Sequence, residues 1–394
     1  MGSEDNNLKS VRNSTFQQRK WCGIIHEYGD FISVEGEKIN IEPVTLLEGN
    51  TPLIESVCLV KELKDMGFSG KIYFKYEGLN PTSSFKDRGM TVAITRAKQI
   101  GARATICAST GNTSASAAAY SARANLPVFV VVPEKNVATG KIVQAVAHGA
   151  RIIRIKGNFD DALKLVRKIS DDFGLFIVNS INPWRIEGQK TAAFEVCDAL
   201  GFAPDYHFLP VGNAGNIYAY WLGYKQYKAI GRINETPKMF GFQAEGAAPI
   251  VRGYPIENPE TIASAIRIGN PANWEKAELA VKESDGLIDM VSDEEIISVY
   301  RFMGEKEGIF CEPAPCAGIA GLIKMVKNKR IKMKDIVVVC TLTGHGLKDP
   351  EAALNFIKTK QFFVEPKFNE IKKIIEEEIK KSKEKDLEME LQRS

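Results

Sequence analysis

From Lys71 onward the chain alternates short apolar stretches with longer segments of helical periodicity. The apolar stretches are KIYFKYE, ATICAST, PVFVVVP, RIIRIKG, LFIVNS, YHFLPVG, KMFGFQAEG and DIVVVCTLTG. Segments such as DRGMTVAITRAKQIG and NIYAYWLGYKQYKAI stand between them and have the composition of helices. Continuous apolar strands joined by helices are typical of mostly parallel sheets with helices on both faces. The pattern therefore predicts an α/β fold.

The length of the chain indicates more than one domain. Its 394 residues exceed what one hydrophobic core usually organises, and an apolar content of 44% is enough for two cores. Lys and Arg number 52 against 49 Asp and Glu, which leaves a formal charge of only +3. So balanced a charge does not favour a nucleic-acid or anionic-membrane partner.

Neither membrane insertion nor secretion is expected. The longest apolar stretch, LPVFVVVP, is far shorter than a membrane-spanning helix. The N-terminal sequence MGSEDNNLKSVRNSTFQQRKWCG is polar and lacks the apolar central region of a secretory signal. We therefore expect a cytoplasmic protein.

The cysteines are predicted to be reduced core residues rather than metal ligands. There are seven, an odd number, scattered mostly through apolar segments. The closest pair, Cys311 and Cys316, is separated by four residues and has no second pair or nearby histidine. No metal site is expected.

Candidate binding residues should follow the strands, because ligands of parallel sheets bind beyond the carboxyl ends of the strands. Four predicted strands are followed by unusual segments. These are ASTGNTSAS, NSINPWR, PVGNAGN and TLTGHGLKDP.

The glycine-rich segment VGNAGN predicts a phosphate site. Gly212 and Gly215 lie between a buried strand and an apolar helix, so the amides near Asn213 to Asn216 can face an anion at the helix N-terminus. The loop lacks the lysine of a P-loop and the third glycine of the dinucleotide fingerprint, which favours a small phosphate monoester. From this loop alone, a glycine-rich turn that binds no ligand remains an alternative interpretation.

The hydroxyl-rich segment ASTGNTSAS predicts a carboxylate site at the start of a second helix. Ordinary N-capping needs only one such residue. The segment supplies several hydroxyls and one amide, from Ser109, Thr110, Asn112, Thr113 and Ser114.

A single lysine, Lys86, lies in the turn NPTSSFKDRGM just before a helical segment. A confined, partly desolvated amine has a lowered pKa and can form an imine with an aldehyde, as lysines that hold pyridoxal phosphate do. On Lys86 alone, a solvated surface lysine would be the better interpretation. The nearby phosphate loop favours the imine.

These segments together resemble the pyridoxal-phosphate enzymes of the tryptophan synthase β-like fold, and most closely the threonine synthase family. The similar segments, in chain order, are WCGIIHEYGD, TLLEGNTPLIES, KYEGLNPTSSFKDRGM, ASTGNTSASAAAYSARA, NSINPWRIEGQKTAAFE, VGNAGN, AIRIGNPANW, GIFCEPAPCAGIAGL and TLTGHGLKDP. The resemblance covers roughly Trp21 to Asn355. One departure is the pair Pro315 and Cys316, where the family would place small residues such as Ser and Ala.

The resemblance implies the following cofactor site. Lys86 would be the Schiff-base lysine, Asn112 would contact the pyridine hydroxyl, and the hydroxyl of Thr343 would face the pyridine nitrogen. The cofactor phosphate would be held by Gly212, Asn213, Ala214, Gly215 and Asn216.

The resemblance also implies a substrate, O-phosphohomoserine, which would be converted with water to threonine and phosphate. Its carboxylate would be bound by Ser109, Thr110, Asn112 and Thr113. Its phosphate would be bound by Ser180 and Arg185, with Asn213 and Thr113 beside them. A guanidinium suits a phosphate because it can bind it bidentately.

The implied architecture is two α/β domains, each an open, mostly parallel sheet with helices on both faces. Residues 1–79 and 187–360 would form the large domain that binds the cofactor phosphate, and residues 80–186 a small domain that closes over the substrate. Residues 361–394, dense in Lys and Glu, would form a charged C-terminal helix or tail. The resemblance further suggests a homodimer.

Two other functions remain open at this point. A threonine or serine dehydratase of the same fold would share Lys86 and both loops but needs no pocket for a substrate phosphate, so Ser180 and Arg185 discriminate it. A non-catalytic sensor of a phosphate ligand would need no imine-forming lysine, and Lys86 with Thr343 argues against it.

Overall fold

The computed structural model describes residues 20–134, 139–157, 159–357 and 359–393, without the side chains of 139–141, 159–160 and 382–393. Most of the polar N-terminal segment on which the cytoplasmic expectation rests therefore lies outside the described residues. The described residues up to Phe356 form one compact unit, and those from Ile357 form a second.

Twelve strands are formed within the described ranges. They are β1 Ser33–Val34, β2 Glu37–Lys38, β3 Leu53–Glu55, β4 Ser69–Tyr76, β5 Thr105–Ala108, β6 Val128–Pro133, β7 Arg151–Ile155, β8 Phe176–Ile177, β9 Tyr206–Pro210, β10 Lys238–Ala244, β11 Leu287–Val291 and β12 Lys334–Leu342.

The helices of the first unit, again within the described ranges, are α1 Ile24–Tyr28, α2 Leu59–Lys64, α3 Lys86–Gln99, α4 Asn112–Arg123, α5 Thr139–Ala147, α6 Phe159–Phe173, α7 Pro183–Leu200, α8 Gly215–Ala229, α9 Pro249–Arg252, α10 Trp274–Glu283, α11 Asp293–Glu305, α12 Pro313–Lys327 and α13 Pro350–Phe356. The second unit contains α14, Phe368–Arg393.

The first unit is built around two larger sheets, and these confirm the predicted α/β fold. The six-stranded sheet has the order β11-β10-β9-β12-β4-β3 and is parallel except for β3, which pairs antiparallel with β4. The four-stranded sheet has the order β7-β6-β5-β8 and is parallel throughout. All its strands fall inside residues 80–186, while the boundaries of the proposed small domain stay a prediction.

Each apolar stretch quoted from the sequence contains a strand, but β3 and β11 carry no comparable signal. β3 has only three residues, and β11 is half-buried at the edge of its sheet with Asp289 in its middle. Tertiary pairing rather than local pattern makes them strands.

The main hydrophobic core packs four helices of the first unit together. α3, α4, α7 and α8 share one buried cluster that includes Met90, Tyr120, Phe194 and Tyr224. Strands β5 and β6 bury their other face against α6 through a smaller cluster that includes Ile106, Val131 and Val166. None of the helices in the described ranges is both long and apolar enough to cross a membrane.

A buried ionic network ties α3 to α7 and to β4. Arg88 of α3 donates through Nε to Glu77 at 2.6 Å and through Nη2 to Glu195 of α7, also at 2.6 Å. Lys75 of β4 donates to Glu195 at 2.6 Å and to the carbonyl of Thr51 at the same distance. Burial opposes ionisation of Glu195, but Arg88 and Lys75 outweigh it and lower its pKa to about 2. The network fixes the first turn of α3.

We expect Arg88→Ala to destabilise the first unit by about 3–5 kcal/mol, because it leaves Glu77 and Glu195 buried without their main partner. Chemical denaturation followed by tryptophan fluorescence measures the change. The control is Arg123→Ala, at an exposed position in the last turn of α4, where we expect a change within about 0.5 kcal/mol. Equal effects of the two substitutions would contradict a structural role for the network.

Candidate active site

The carboxyl ends of three neighbouring strands meet at one edge of the six-stranded sheet. β9, β12 and β4 are adjacent and parallel. β9 leads into the segment Gly212 to Asn216, β12 ends beside Thr343, and β4 leads through a 3₁₀ turn toward Lys86. In the other sheet β5 and β8 are likewise adjacent and parallel. They lead into the hydroxyl-rich segment and to Ser180. The topology thus brings all four predicted segments to strand ends, where ligands of parallel sheets bind.

Lys86 is the first residue of α3, and its turn is held from several sides. The amide of Phe85 donates to the carbonyl of Thr343 at 3.0 Å, and Ser84 pairs with Gly344. The carboxylate of Asp87 accepts the amide and the hydroxyl of Thr82, at 2.6 and 2.5 Å. The amine of Lys86 therefore starts from a fixed backbone.

The environment of Lys86 favours its neutral form. Burial and, after it, the positive charge of Arg185 lower its pKa to about 7, although Glu312 acts in the opposite direction. The Nζ atom lies 4.0 Å from the centre of the Phe85 ring. A neutral amine near pH 7 is the form that attacks a carbonyl or accepts a proton.

Arg185, in the first turn of α7, is buried with most of its guanidinium unpaired. Nη1 donates to the carbonyl of Val178 at 3.1 Å, but Nε and Nη2 are buried without a hydrogen-bond partner among the described residues. Burial lowers its pKa to about 10, so the group remains charged at neutral pH. Buried charges are normally paired, and the unused donors therefore indicate an anionic ligand.

Two glycines allow α3 and α7 to approach closely beside this pair. A Cβ added at Gly89 would lie 2.7 Å from the carbonyl oxygen of Arg185, and one at Gly188 would lie 2.0 Å from that of Arg88. A larger side chain at either glycine would force the two helices apart. The glycines thus help to place Arg185 within electrostatic reach of Lys86.

The hydroxyl-rich segment begins α4 and contacts a carboxylate that the sequence analysis did not single out. Ser109 accepts the amides of Gly111 and Ser114, each at 3.2 Å. The side-chain amide of Asn112 donates to both oxygens of Glu312, at 3.1 and 3.2 Å. The side chains of Thr110 and Thr113 lie beside them, half-buried. Asn112 is therefore held by Glu312 in this structure.

Glu312 lies in CEPAPC, immediately before α12, where it takes the N-cap position. Its side chain is buried, which raises its pKa. It packs against Gly344, where an added Cβ would lie 2.2 Å from Oε1. The two cysteines of the same motif are buried, with their Sγ atoms 3.7 Å apart. A lone acid before a proline was the only sequence signal for Glu312.

The glycine-rich loop leads into α8. Ala214 has a left-handed backbone with φ of 64°, which a residue other than glycine rarely adopts outside constrained loops. The first amides of a helix lack acceptors within that helix. The side chain of Asn216 donates through Nδ2 to Oε1 of Gln189 at 3.4 Å, and its buried Oδ1, an acceptor, has no partner among the described residues. The backbone amides at the start of α8 can therefore donate to an anion at the positive end of this helix.

The remaining residue of the predicted cofactor site, Thr343, is buried directly after β12, with its carbonyl bonded to the amide of Phe85. Ser180 is half-buried between β8 and α7. Its carbonyl accepts from the side chain of Asn273 at 3.4 Å. Asn273, in AIRIGNPANW, is a second residue whose contacts carry no signal in the sequence.

The sequence of the chain matches known proteins over most of its length. Residues 44–344 match the family described as pyridoxal-phosphate dependent enzyme. The chain is 54% identical over 335 residues to a threonine synthase from Synechocystis sp., with 85% of each chain covered. It is 56% identical over 341 residues to a threonine synthase from Halalkalibacterium halodurans, covering 86% of this chain and 93% of the relative.

A solved structure of the processed form of threonine deaminase isoform 2 from Solanum lycopersicum has a similar fold. The TM-score is 0.65, over 78% of this chain and 87% of the other, at 22% sequence identity. At that identity the likeness concerns the fold alone.

The residues described above fit pyridoxal phosphate. A buried amine with a lowered pKa suits an aldehyde, and unused donors at the start of α8 suit a phosphate. The free donors of Arg185 are left for a second anion. A site with an amine and two separate sets of anion donors fits a phosphorylated cofactor together with a phosphorylated substrate.

We predict that covalent attachment of pyridoxal phosphate to the cofactor-free protein speeds up as the pH rises, with a midpoint at about pH 7. Only the neutral amine attacks, and the fraction of neutral amine increases through the pKa of Lys86. Stopped-flow absorbance at low cofactor concentration measures the rate. A free alkylamine, measured at each pH, corrects for ionisation of the cofactor itself. A midpoint near 10, as for a solvated lysine, would contradict the account.

Two substitutions should move that midpoint in opposite directions. Arg185→Gln removes a positive charge that lowers the pKa of Lys86, so the midpoint should rise. Glu312→Gln removes a group that raises it, so the midpoint should fall. Both variants place an uncharged polar side chain at the position, and in Glu312→Gln the size is unchanged as well. Shifts in the same direction would show that the electrostatic assignment is wrong.

Proposed function

The chain belongs to the pyridoxal-phosphate-dependent enzymes and, within them, to the threonine synthases, and from this premise we propose which residues carry the reaction and on what substrate. The cofactor is pyridoxal phosphate, and the enzyme is a carbon–oxygen lyase of threonine biosynthesis. We propose that its substrate is O-phosphohomoserine, which it converts with water to threonine and phosphate.

The proposal of a phosphorylated substrate rests on one observation. The guanidinium of Arg185 is buried, and two of its nitrogens have no hydrogen-bond partner among the described residues. Its positive charge lies close enough to Lys86 to lower the pKa of the amine. An unphosphorylated substrate would leave those donors unsatisfied, at a cost that buried charged groups rarely bear. A dehydratase would need no such group.

The proposed cofactor contacts follow the geometry of the strand ends. Lys86 holds the aldehyde carbon, and the amides and side chains from Gly212 to Asn216 hold the phosphate. Thr343 faces the ring nitrogen. Asn112 faces the ring hydroxyl, for which its amide would exchange the bond to Glu312.

The proposed substrate contacts use the remaining donors. Ser109, Thr110, Asn112 and Thr113 bind the carboxylate at the start of α4. Arg185 and Ser180 bind the phosphate, supported by Asn213 and Thr113. Two anion sites at opposite ends of the substrate fix its orientation and place its α-carbon toward Lys86.

When bound, pyridoxal phosphate accepts the electron pair left at the α-carbon. Lys86 Nζ, freed when the amine of the substrate takes its place and with its pKa lowered to about 7, takes the α-proton and later returns a proton to the same carbon. Arg185 stabilises the phosphate as it leaves the γ-carbon, because its charge lies in a site with little water. A proton is lost from the β-carbon as the phosphate leaves, and the γ-carbon takes up a proton. Water then adds its hydroxyl at the β-carbon and releases its other proton. Closure of the proposed small domain, residues 80–186, would exclude other water until that step.

We further propose a homodimer in the cytoplasm. The family resemblance of residues Trp21 to Asn355 supports the dimer. The helix α14, which follows that region, is a candidate for a subunit contact. Light scattering on the purified protein would give the mass of the assembly.

We predict that Arg185→Gln raises the KM for O-phosphohomoserine by about 30-fold to 1,000-fold, as expected for losing one partner of a buried charged hydrogen bond. Release of inorganic phosphate and formation of threonine measure turnover. The product threonine has no phosphate, so its dissociation constant, read from the absorbance of the bound cofactor, should change little. If the substitution weakened substrate and product equally, Arg185 would not be part of the site that binds the substrate phosphate. Cofactor attachment without phosphate release by the wild type would point to a dehydratase.

A further inference from the structure

Asn273 occupies an N-cap position but does not cap its own helix. It precedes α10, and asparagine is among the best N-cap residues because its side chain can accept an amide of the first turn. In this protein no such side-chain bond is made. The residue is nevertheless buried. Its side chain therefore forms hydrogen bonds with groups outside α10.

The side-chain amide of Asn273 contacts two loops instead. Nδ2 donates to the carbonyl of Asn213 at 3.2 Å and to the carbonyl of Ser180 at 3.4 Å. The backbone amide of Asn273 donates to the carbonyl of Asn213 as well, at 3.2 Å. Asn213 returns a contact, since its Oδ1 accepts the amide of Ala272 at 3.4 Å. One residue thus joins the loop after β9 to the loop after β8.

The close packing around this amide depends on a glycine. A Cβ added at Gly215 would lie 3.2 Å from Nδ2 of Asn273 and 3.2 Å from the side chain of Ile186. A larger residue at this position would press against the side-chain amide of Asn273 and against Ile186 at the start of α7. The first residue of α8 is therefore small at the point where Asn273 passes it.

We propose that Asn273 is a positioning residue that couples the cofactor-phosphate loop to the substrate-phosphate loop. The inference rests on the proposed function, which assigns Asn213 to the first loop and Ser180 to the second. Holding both carbonyls on one amide fixes the spacing of the two loops, and with it the distance between the two anion sites. A phosphorylated substrate can then be aligned only when the cofactor loop is in place.

The test compares Asn273→Ser with the wild-type holoenzyme. Serine keeps a good N-cap and no charge, but it is too short to reach both carbonyls. Two constants are measured, the dissociation constant of pyridoxal phosphate by absorbance and that of inorganic phosphate by calorimetry on the holoenzyme. We expect both to rise by about tenfold, the effect of one lost hydrogen bond on each loop. Asn273→Ala should raise both dissociation constants as well.

The matched control is Ser284→Ala at the other end of α10. Ser284 is buried and accepts the amide of Met239 at 3.2 Å, so its loss should lower thermal stability while leaving both constants unchanged. If both Asn273 variants behave like Ser284→Ala, the residue supports only the helix, and the proposal is overturned. A change in one constant alone would overturn the coupling.

Failure of the proposed function would be recognised separately. A wild-type enzyme that attaches pyridoxal phosphate but releases no phosphate from O-phosphohomoserine would refute the substrate. The two binding constants do not depend on turnover, so they would still decide whether Asn273 joins the two loops.

Discussion

The ionic network around Arg88 is the constraint on which the site depends. Arg88 is two residues after Lys86 and lies between Glu77, which follows β4, and Glu195 of α7. Because all three charges are buried, moving α3 relative to either neighbour would leave a charge unpaired at a cost of several kcal/mol. The network therefore holds the backbone of Lys86 against β4 and against α7. The same helix α7 carries Arg185, so one cluster fixes both the amine and the guanidinium that lowers its pKa.

The sequence predicted those parts of the molecule that local chemistry determines. β9 is buried along its whole length and β4 is mostly buried from Ile72 onward, so both strands were recognisable from their apolar residues without tertiary information. The rule that ligands bind at the carboxyl ends of parallel strands then selected the segments around Lys86, Asn112 and Gly212. The structure places the segments around Lys86 and Gly212 after strands of the six-stranded sheet and the segment around Asn112 after a strand of the four-stranded sheet, while the role of each residue stays a proposal.

What the sequence did not predict depends on contacts between distant segments. Glu312 meets Asn112 across 200 residues, and Asn273 meets Asn213 and Ser180 across 60 and 93. In the sequence the first is an acid before a proline and the second an apparent helix cap. Arg88 looked like an ordinary charged residue of a helical segment, and only burial shows its partners. Strand β11 was missed for a similar reason, since its pattern is that of a half-buried edge.

The most direct test of the account is to locate the cofactor on the chain. The holoenzyme is treated with borohydride, which fixes pyridoxal phosphate to the amine that holds it, and the peptides are identified by mass spectrometry. The account predicts the added mass on the peptide that contains Lys86, and its disappearance in Lys86→Ala. Label on another lysine, such as the half-buried Lys348 or the buried Lys190, would contradict it, because neither lies in the turn that the Arg88 network holds in place.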